Sequence, residues 1–125
     1  MPAITLKILL VEDNSMAQTI ALRILRSLDY QVDLVENGLE AIEALRQKHY
    51  DVVLTDVQMP QMGGLEMARH ICQEWSLEER PYIIALTSEV MLDIREECLQ
   101  AGMNECISKP LDIGTLIELL KKVRI

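Results

Sequence analysis

Five short apolar runs alternate along the chain with five segments whose apolar residues recur at helical spacing. The first run, residues 6–11, includes Ile8-Leu9-Leu10-Val11. Asn14 and Ser15 offer capping oxygens, and Ala17, Ile20, Ala21, Ile24, Leu25 and Leu28 then fall on one helical face. Gln18, Arg23 and Arg26 point the other way, with Met16 at the edge of the stripe and Leu22 well outside it. Some apolar surface is thus left over for a partner. Gln31-Val32-Asp33-Leu34-Val35 alternates polar and apolar, as an edge strand does. Asn37-Gly38 turns the chain into a second helix carrying Ala41, Ile42 and Leu45.

Asp51-Val52-Val53-Leu54-Thr55 is β-branched and apolar, the pattern of a strand buried on both faces, and Asp56 sits where it ends. Pro60 and the flexible pair Gly63-Gly64 break the run, and a third helix begins at Leu65 with Ala68, Ile71 and Cys72 inward. A polar connection from Trp75 to Pro81 leads to the strand at residues 82–86, closed by Thr87. After Ser88 a fourth helix places Val90, Met91, Ile94, Cys98 and Ala101 inward, and Gly102 stops it. Cys106-Ile107-Ser108 is the last strand, closed by Lys109. Asp112 caps a final helix with Ile113, Leu116, Ile117, Leu120 and Val123 on one face.

Strand and helix in strict alternation imply a doubly wound parallel sheet with right-handed crossovers, in which ligands bind at the carboxyl edge of the strands. Glu12, Asp13, Asp56, Thr87 and Lys109 all follow or close apolar runs, so all five emerge on that edge. Alone, Asp56 reads as well as a loop cap. In company it marks a crevice of three carboxylates, a hydroxyl and an ammonium.

Length and charge narrow the classes. The 125 residues make one domain, residues 1–125, with a core of Leu, Ile, Val, Met and Ala, since aromatic residues are 3% and Phe is absent. A net charge of −8 leaves no basic stripe for nucleic acid or an anionic membrane. No apolar run approaches the roughly 20 residues of a membrane span, and Met1-Pro2-Ala3-Ile4-Thr5 lacks a signal-like organisation, so a cytoplasmic protein is expected. Cys72, Cys98 and Cys106 are odd in number and widely spaced, the pattern of reduced, buried thiols. His49 and His70 fall away from the strand ends and read as surface residues.

With Ile8-Leu9-Leu10-Val11-Glu12-Asp13-Asn14, Thr55-Asp56-Val57-Gln58-Met59-Pro60 with Gly63-Gly64, Ala85-Leu86-Thr87 and Ser108-Lys109-Pro110 in that order, the chain resembles a receiver domain of a two-component response regulator. The stretch Arg80 to Thr87 with Ala101-Gly102-Met103 is similar to receivers fused to sensor kinases. The resemblance implies a flavodoxin-like five-stranded sheet in the order 2-1-3-4-5 with five helices. It also implies Asp56 as phosphoacceptor, Glu12 and Asp13 with Asp56 as holders of Mg2+, Thr87 and Lys109 as contacts of the phosphoryl group, and Gln58 and Glu89 as residues that tune dephosphorylation. The implied partner is a histidine kinase or histidine phosphotransfer protein, with no direct nucleic acid and no membrane. The chain would catalyse its own phosphorylation and dephosphorylation without being a turnover enzyme on an external substrate. Physical chemistry agrees, because two carboxylates about 5 Å apart repel by roughly 3 kcal/mol at an effective dielectric near 20 and three of them call for a cation.

Two positions depart from the family. Cys106 stands at the switch position, where a Tyr or Phe is usual, so its motion cannot be the swing of a ring toward the site, and the face of the fourth helix, fifth strand and fifth helix must be biased in another way. Ser88 stands where a smaller residue is common. The Lys109-Pro110 bond is often cis in the family. A phosphatase or dehalogenase-like enzyme would place an acid at position 58, where this chain has Gln58. A flavin or nucleotide binder would carry a G-x-G-x-x-G turn or a P-loop, and neither motif occurs. A pseudo-receiver, acting as an interaction module without phosphorylation, is the alternative that keeps the fold.

Overall fold

The computed structural model describes residues 6–57, 59, 61–87, 92–109 and 112–123. Gln58, Pro60, Ser88, Glu89, Val90, Met91 and the Lys109-Pro110 bond lie outside them. The elements alternate as β1 (Lys7–Val11), α1 (Ser15–Ser27), β2 (Gln31–Val35), α2 (Gly38–Gln47), β3 (Val52–Asp56), α3 (Gly64–Glu74), β4 (Tyr82–Thr87), α4 (Leu92–Gln100), β5 (Glu105–Ser108) and α5 (Ile113–Val123). All four strand pairings are parallel, and the order is β2-β1-β3-β4-β5.

The core has two layers because alternate strand residues face opposite sides of the sheet. Leu9, Val11, Val53, Ile83, Ala85 and Cys106 pack under α2, α3 and α4, while Ile8, Leu10, Val52, Leu54, Ile84 and Leu86 pack under α1 and α5. Burial on both faces is why β1, β3 and β4 read as unbroken apolar runs.

Caps set the helix ends. Asn14 Oδ1 accepts from the Ala17 amide at 2.9 Å, Asn37 Oδ1 from Glu40 at 2.9 Å and Asp112 Oδ2 from Thr115 at 2.8 Å. At the end of α4 the Gly102 amide donates to Leu99 O and Met103 to Cys98 O, the paired bonds of a Schellman motif, with Gly102 at φ 103°.

Several faces differ from those expected. In α1, Ala21 and Leu25 are buried and Leu22 packs against the core, whereas Ile20 is 46% exposed. Ile20 lies instead along a groove with Met16, Ala17 and Leu86. In α5 the buried set is Leu116, Leu119 and Leu120, and Ile113 lies exposed. Met67 joins Ala68 and Ile71 as a fully buried residue of α3. Leu34 on edge strand β2 is exposed. Cys98 and Cys106 are buried, and Cys72 only half so.

The Gly63-Gly64 pair also has a steric role. Its second member starts α3, and its Cα passes so near β3 that an added Cβ would collide with the Asp56 carbonyl oxygen and stand 3.2 Å from Val57 Cα. The Gly64 amide donates to Val57 O at 2.9 Å. Absence of a side chain, with an ordinary negative φ at Gly63, is what lets α3 begin against the end of β3.

Candidate functional site

β1 and β3 are neighbours in register, Val11 opposite Thr55, so the residues that leave their carboxyl ends meet. Glu12, Asp13 and Asp56 each offer a carboxylate oxygen, and the three oxygens lie within 4.8 Å of one another. Lys109, just past the end of β5, closes the group with Nζ 3.0 Å from Glu12 Oε1 and 3.2 Å from Asp56 Oδ2. The Lys109 amide donates to Thr87 O at 2.8 Å, which ties the ends of β4 and β5 together beside the cluster. Four of the five expected groups thus converge, with Thr87 buried at the adjoining strand end.

Glu12 is the anchor of the site. It is 2% exposed, yet each of its polar atoms has a partner. Its amide donates to Val35 O at 3.0 Å, and its carbonyl accepts from Gln18 Nε2 at 2.7 Å. Oε2 accepts from the Asn14 amide at 3.2 Å, and Oε1 from Lys109. Burial pushes the Glu12 carboxyl above its ordinary range, against the pull of the Lys109 and Asn14 hydrogen bonds. Burial also works against the charge on Lys109, but hydrogen bonds and charge from Glu12 and Asp56 outweigh it and raise the ammonium overall. Three acidic groups around one lysine leave the cluster net negative.

The donor set suits a small hard cation. Magnesium takes oxygen ligands at 2.0–2.1 Å, which brings opposed ligand atoms to about 4 Å, and the three oxygens already stand within 4.8 Å. Closing onto one ion would bring neighbouring oxygens to about 3 Å and an opposed pair to about 4 Å.

Beside the cluster runs an apolar groove of about 340 Å³, lined by Met16, Ala17, Ile20, Ala21 and Leu86, with Glu12, Asn14 and Lys109 at its charged end. Met16 is 73% exposed. At the switch position, Cys106 is buried under α4, with its thiol against that of Cys98. Burial first, then the neighbouring Cys106, pushes the Cys98 thiol up to about 12, so Cys98 is a protonated core thiol at neutral pH. The expected surface histidines are at the surface, His49 near Asp51 and His70 near Glu74.

Sequence reasoning missed three contributors. Gln18, assigned to the outward side of α1, reaches back six residues to the Glu12 carbonyl. Thr55, taken as strand filler, donates its hydroxyl to the Asp56 carbonyl at 2.8 Å. The contact of Cys98 with Cys106 joins two elements. No local pattern encodes any of these, whereas a glycine directly after the loop of a candidate nucleophile was a legible sign that Gly64 approaches the Asp56 backbone.

Residues 8–121 match the response regulator receiver domain family. The chain is 38% identical over 122 residues to the aerobic respiration control sensor protein ArcB of Escherichia coli K12, covering 98% of this chain and 16% of that protein. It spans about a sixth of such a relative's length. Among solved structures, the receiver domain of a sensor histidine kinase from Pseudomonas aeruginosa PAO1 is 37% identical with a TM-score of 0.86, over 98% of this chain and 100% of that one. That structure holds a magnesium ion in its active-site cleft. A third similarity, 27% identical with a TM-score of 0.79 over 95% of this chain and 86% of the other, is to a Saccharomyces cerevisiae co-crystal. It contains a histidine phosphotransfer signaling protein and the receiver domain of its downstream response regulator. By sequence match, strand order and the acidic pocket at the ends of β1 and β3, this chain belongs to the response regulator receiver domains of two-component signal transduction.

Proposed function

We propose that the chain is a phosphoaccepting receiver, in which Asp56 takes a phosphoryl group from a phosphohistidine on a histidine kinase or histidine phosphotransfer protein. The observation that carries this is the gathering of Asp56 with Glu12 and Asp13 inside 4.8 Å, under a lysine 3.2 Å from the Asp56 carboxylate. An Asp56 oxygen attacks phosphorus as the P–N bond breaks, and the electron pair leaves with the imidazole. The product is an acyl phosphate. Mg2+ held by Glu12, Asp13 and Asp56 would offset their repulsion and charge on the phosphoryl oxygens.

The chain's own groups supply the rest. Lys109 shifts from its carboxylate partners toward the added charge, and Thr87 offers its hydroxyl. Gln58 and Glu89, by the family pattern, tune how fast water later hydrolyses the acyl phosphate. The groove along Met16, Ala17 and Ile20 receives an apolar helix face of the partner, which brings its imidazole to the charged end. The chain acts on itself, with no external substrate turned over, and works in the cytoplasm. No described helix is long and apolar enough to cross a membrane. Output passes through the face of α4, β5 and α5, with a shift of Thr87 in place of a swinging ring.

Intact-mass spectrometry after incubation with phosphoramidate and Mg2+ tests this. One added phosphoryl group is expected, absent in Asp56→Asn and absent when Mg2+ is chelated. No adduct, together with no binding of fluoroberyllate, would leave an interaction module that signals without phosphorylation.

A further inference from the structure

Successive residues of an extended strand point to opposite sides of the sheet. Glu12 and Asp13 are successive, and both send a carboxylate to one site. The peptide that joins them must therefore turn out of the β1 ladder and be held in that turn. Its carbonyl, Glu12 O, accepts one side-chain hydrogen bond, from Gln18 Nε2 at 2.7 Å. Gln18 is itself fixed, because its amide closes the first turn of α1 on Asn14 O at 2.9 Å, and α1 is seated by the buried Ala21 and Leu25. A neutral amide adds a donor without changing the charge of the acidic cluster. An arginine or lysine at that position would oppose the cation that the cluster is suited to hold.

We infer that Gln18 is a positioning residue for the cation site: its amide clamps the Glu12-Asp13 peptide to α1 so that both carboxylates face Asp56. This rests on the reading that the cluster binds Mg2+. The comparison that isolates it uses the whole chain, Gln18→Met, which keeps length and removes the donor, and Thr19→Gly, which loosens the same turn of α1 but leaves the clamp in place. Gln18→Ala repeats the test without a new apolar side chain.

Calorimetric titration with Mg2+ alone should show about tenfold weaker binding for both Gln18 variants, the scale of a lost outer-shell contact, and wild-type affinity for Thr19→Gly. The 15N spectrum of the metal-free protein should show the Asp13 amide, which shares the clamped peptide, displaced in the Gln18 variants and unmoved in Thr19→Gly. Binding by Gln18→Met within twofold of wild type would overturn the assignment. So would an equal loss in Thr19→Gly, which would make it an effect of helix stability. Wild type that takes up no Mg2+ would defeat the magnesium reading first and the clamp with it.

Discussion

Replacing Asp13 by Asn should make the metal-free protein more stable, although it removes a residue of the site. Asp13 is exposed, and its carboxylate lies within 4.8 Å of those of Glu12 and Asp56. Two unit charges at that distance repel by about 3 kcal/mol at an effective dielectric near 20 and about 1 kcal/mol in water. Lys109 pairs with Glu12 and Asp56 and screens part of this. For a group open to solvent the low end applies, so Asp13→Asn should add about 1 kcal/mol. In the unfolded chain the acidic residues are farther apart, which leaves the gain in the folded state.

Trp75, the chain's single tryptophan, packs partly against the core at the end of α3 and reports unfolding by fluorescence. With a urea slope of about 1.5 kcal/mol/M, the midpoint of Asp13→Asn should rise by about 0.7 M in EDTA at low salt. Salt near 1 M should shrink the difference, because the screening length falls to about 3 Å. Mg2+ at ten times its dissociation constant stabilises wild type by about 1.4 kcal/mol, and the variant gains less, so the order should level or reverse. A variant no more stable than wild type in EDTA would refute the claim that the cluster stores repulsion.

Two further predictions concern parts remote from the cluster. Gly102→Ala should cost about 2–4 kcal/mol, from an L-residue held at positive φ and a Cβ driven into Cys72 Sγ; in Cys72→Ala the same change should cost about 1 kcal/mol less, measured by a double-mutant cycle in urea. Hydrogen bonds from Arg46 hold the Glu74 carboxyl down at about 2 from an ordinary 4.5. Its contribution is therefore present above pH 4.5 and is lost as pH falls toward 2. Arg46→Met should flatten the acid limb of the stability profile in that window and leave the profile above pH 6 parallel to wild type, whereas equal acid limbs would remove the pair from the account.

What could be read along the chain was what repeats locally. Doubly buried strands declare themselves as unbroken apolar runs, and Asn14, Asn37 and Asp112 announce the helices they cap. Glu12, Asp56, Thr87 and Lys109 were legible because each ends such a run. Faces were less so. Helical spacing gives the direction of a stripe and says nothing of where the sheet stops, and so Ile20 was expected inside and Leu22 outside. Leu119 was missed for a related reason, since α5 turns its 116, 119 and 120 positions to the sheet. Gln18, Thr55 and the Cys98–Cys106 contact join partners within eight residues of one another, yet apolar periodicity carries no sign of a side chain that turns back on a nearby carbonyl or thiol.

The place of the site follows from the strand order itself. After β1 the chain crosses to α1 on one face of the sheet, and after β3 to α3 on the other. Because β1 and β3 are neighbours, their outgoing loops diverge and leave a crevice between them, which opens at the carboxyl ends where Glu12, Asp13 and Asp56 stand. The cation that faces them cannot come from either strand without taking a ligand's place. It comes from β5, two strands from β3 and hence about 10 Å away at the usual spacing. A side chain that must cross over the end of β4 to reach both Glu12 and Asp56 has to be long and flexible and to carry its charge at the tip. Lysine meets those demands with a mobile point charge, and its stem is partly covered on the way, leaving the side chain 26% exposed. The same reach lets the ammonium move without disturbing β5, so charge added at Asp56 can draw Lys109 off Glu12 while its amide remains on Thr87 O.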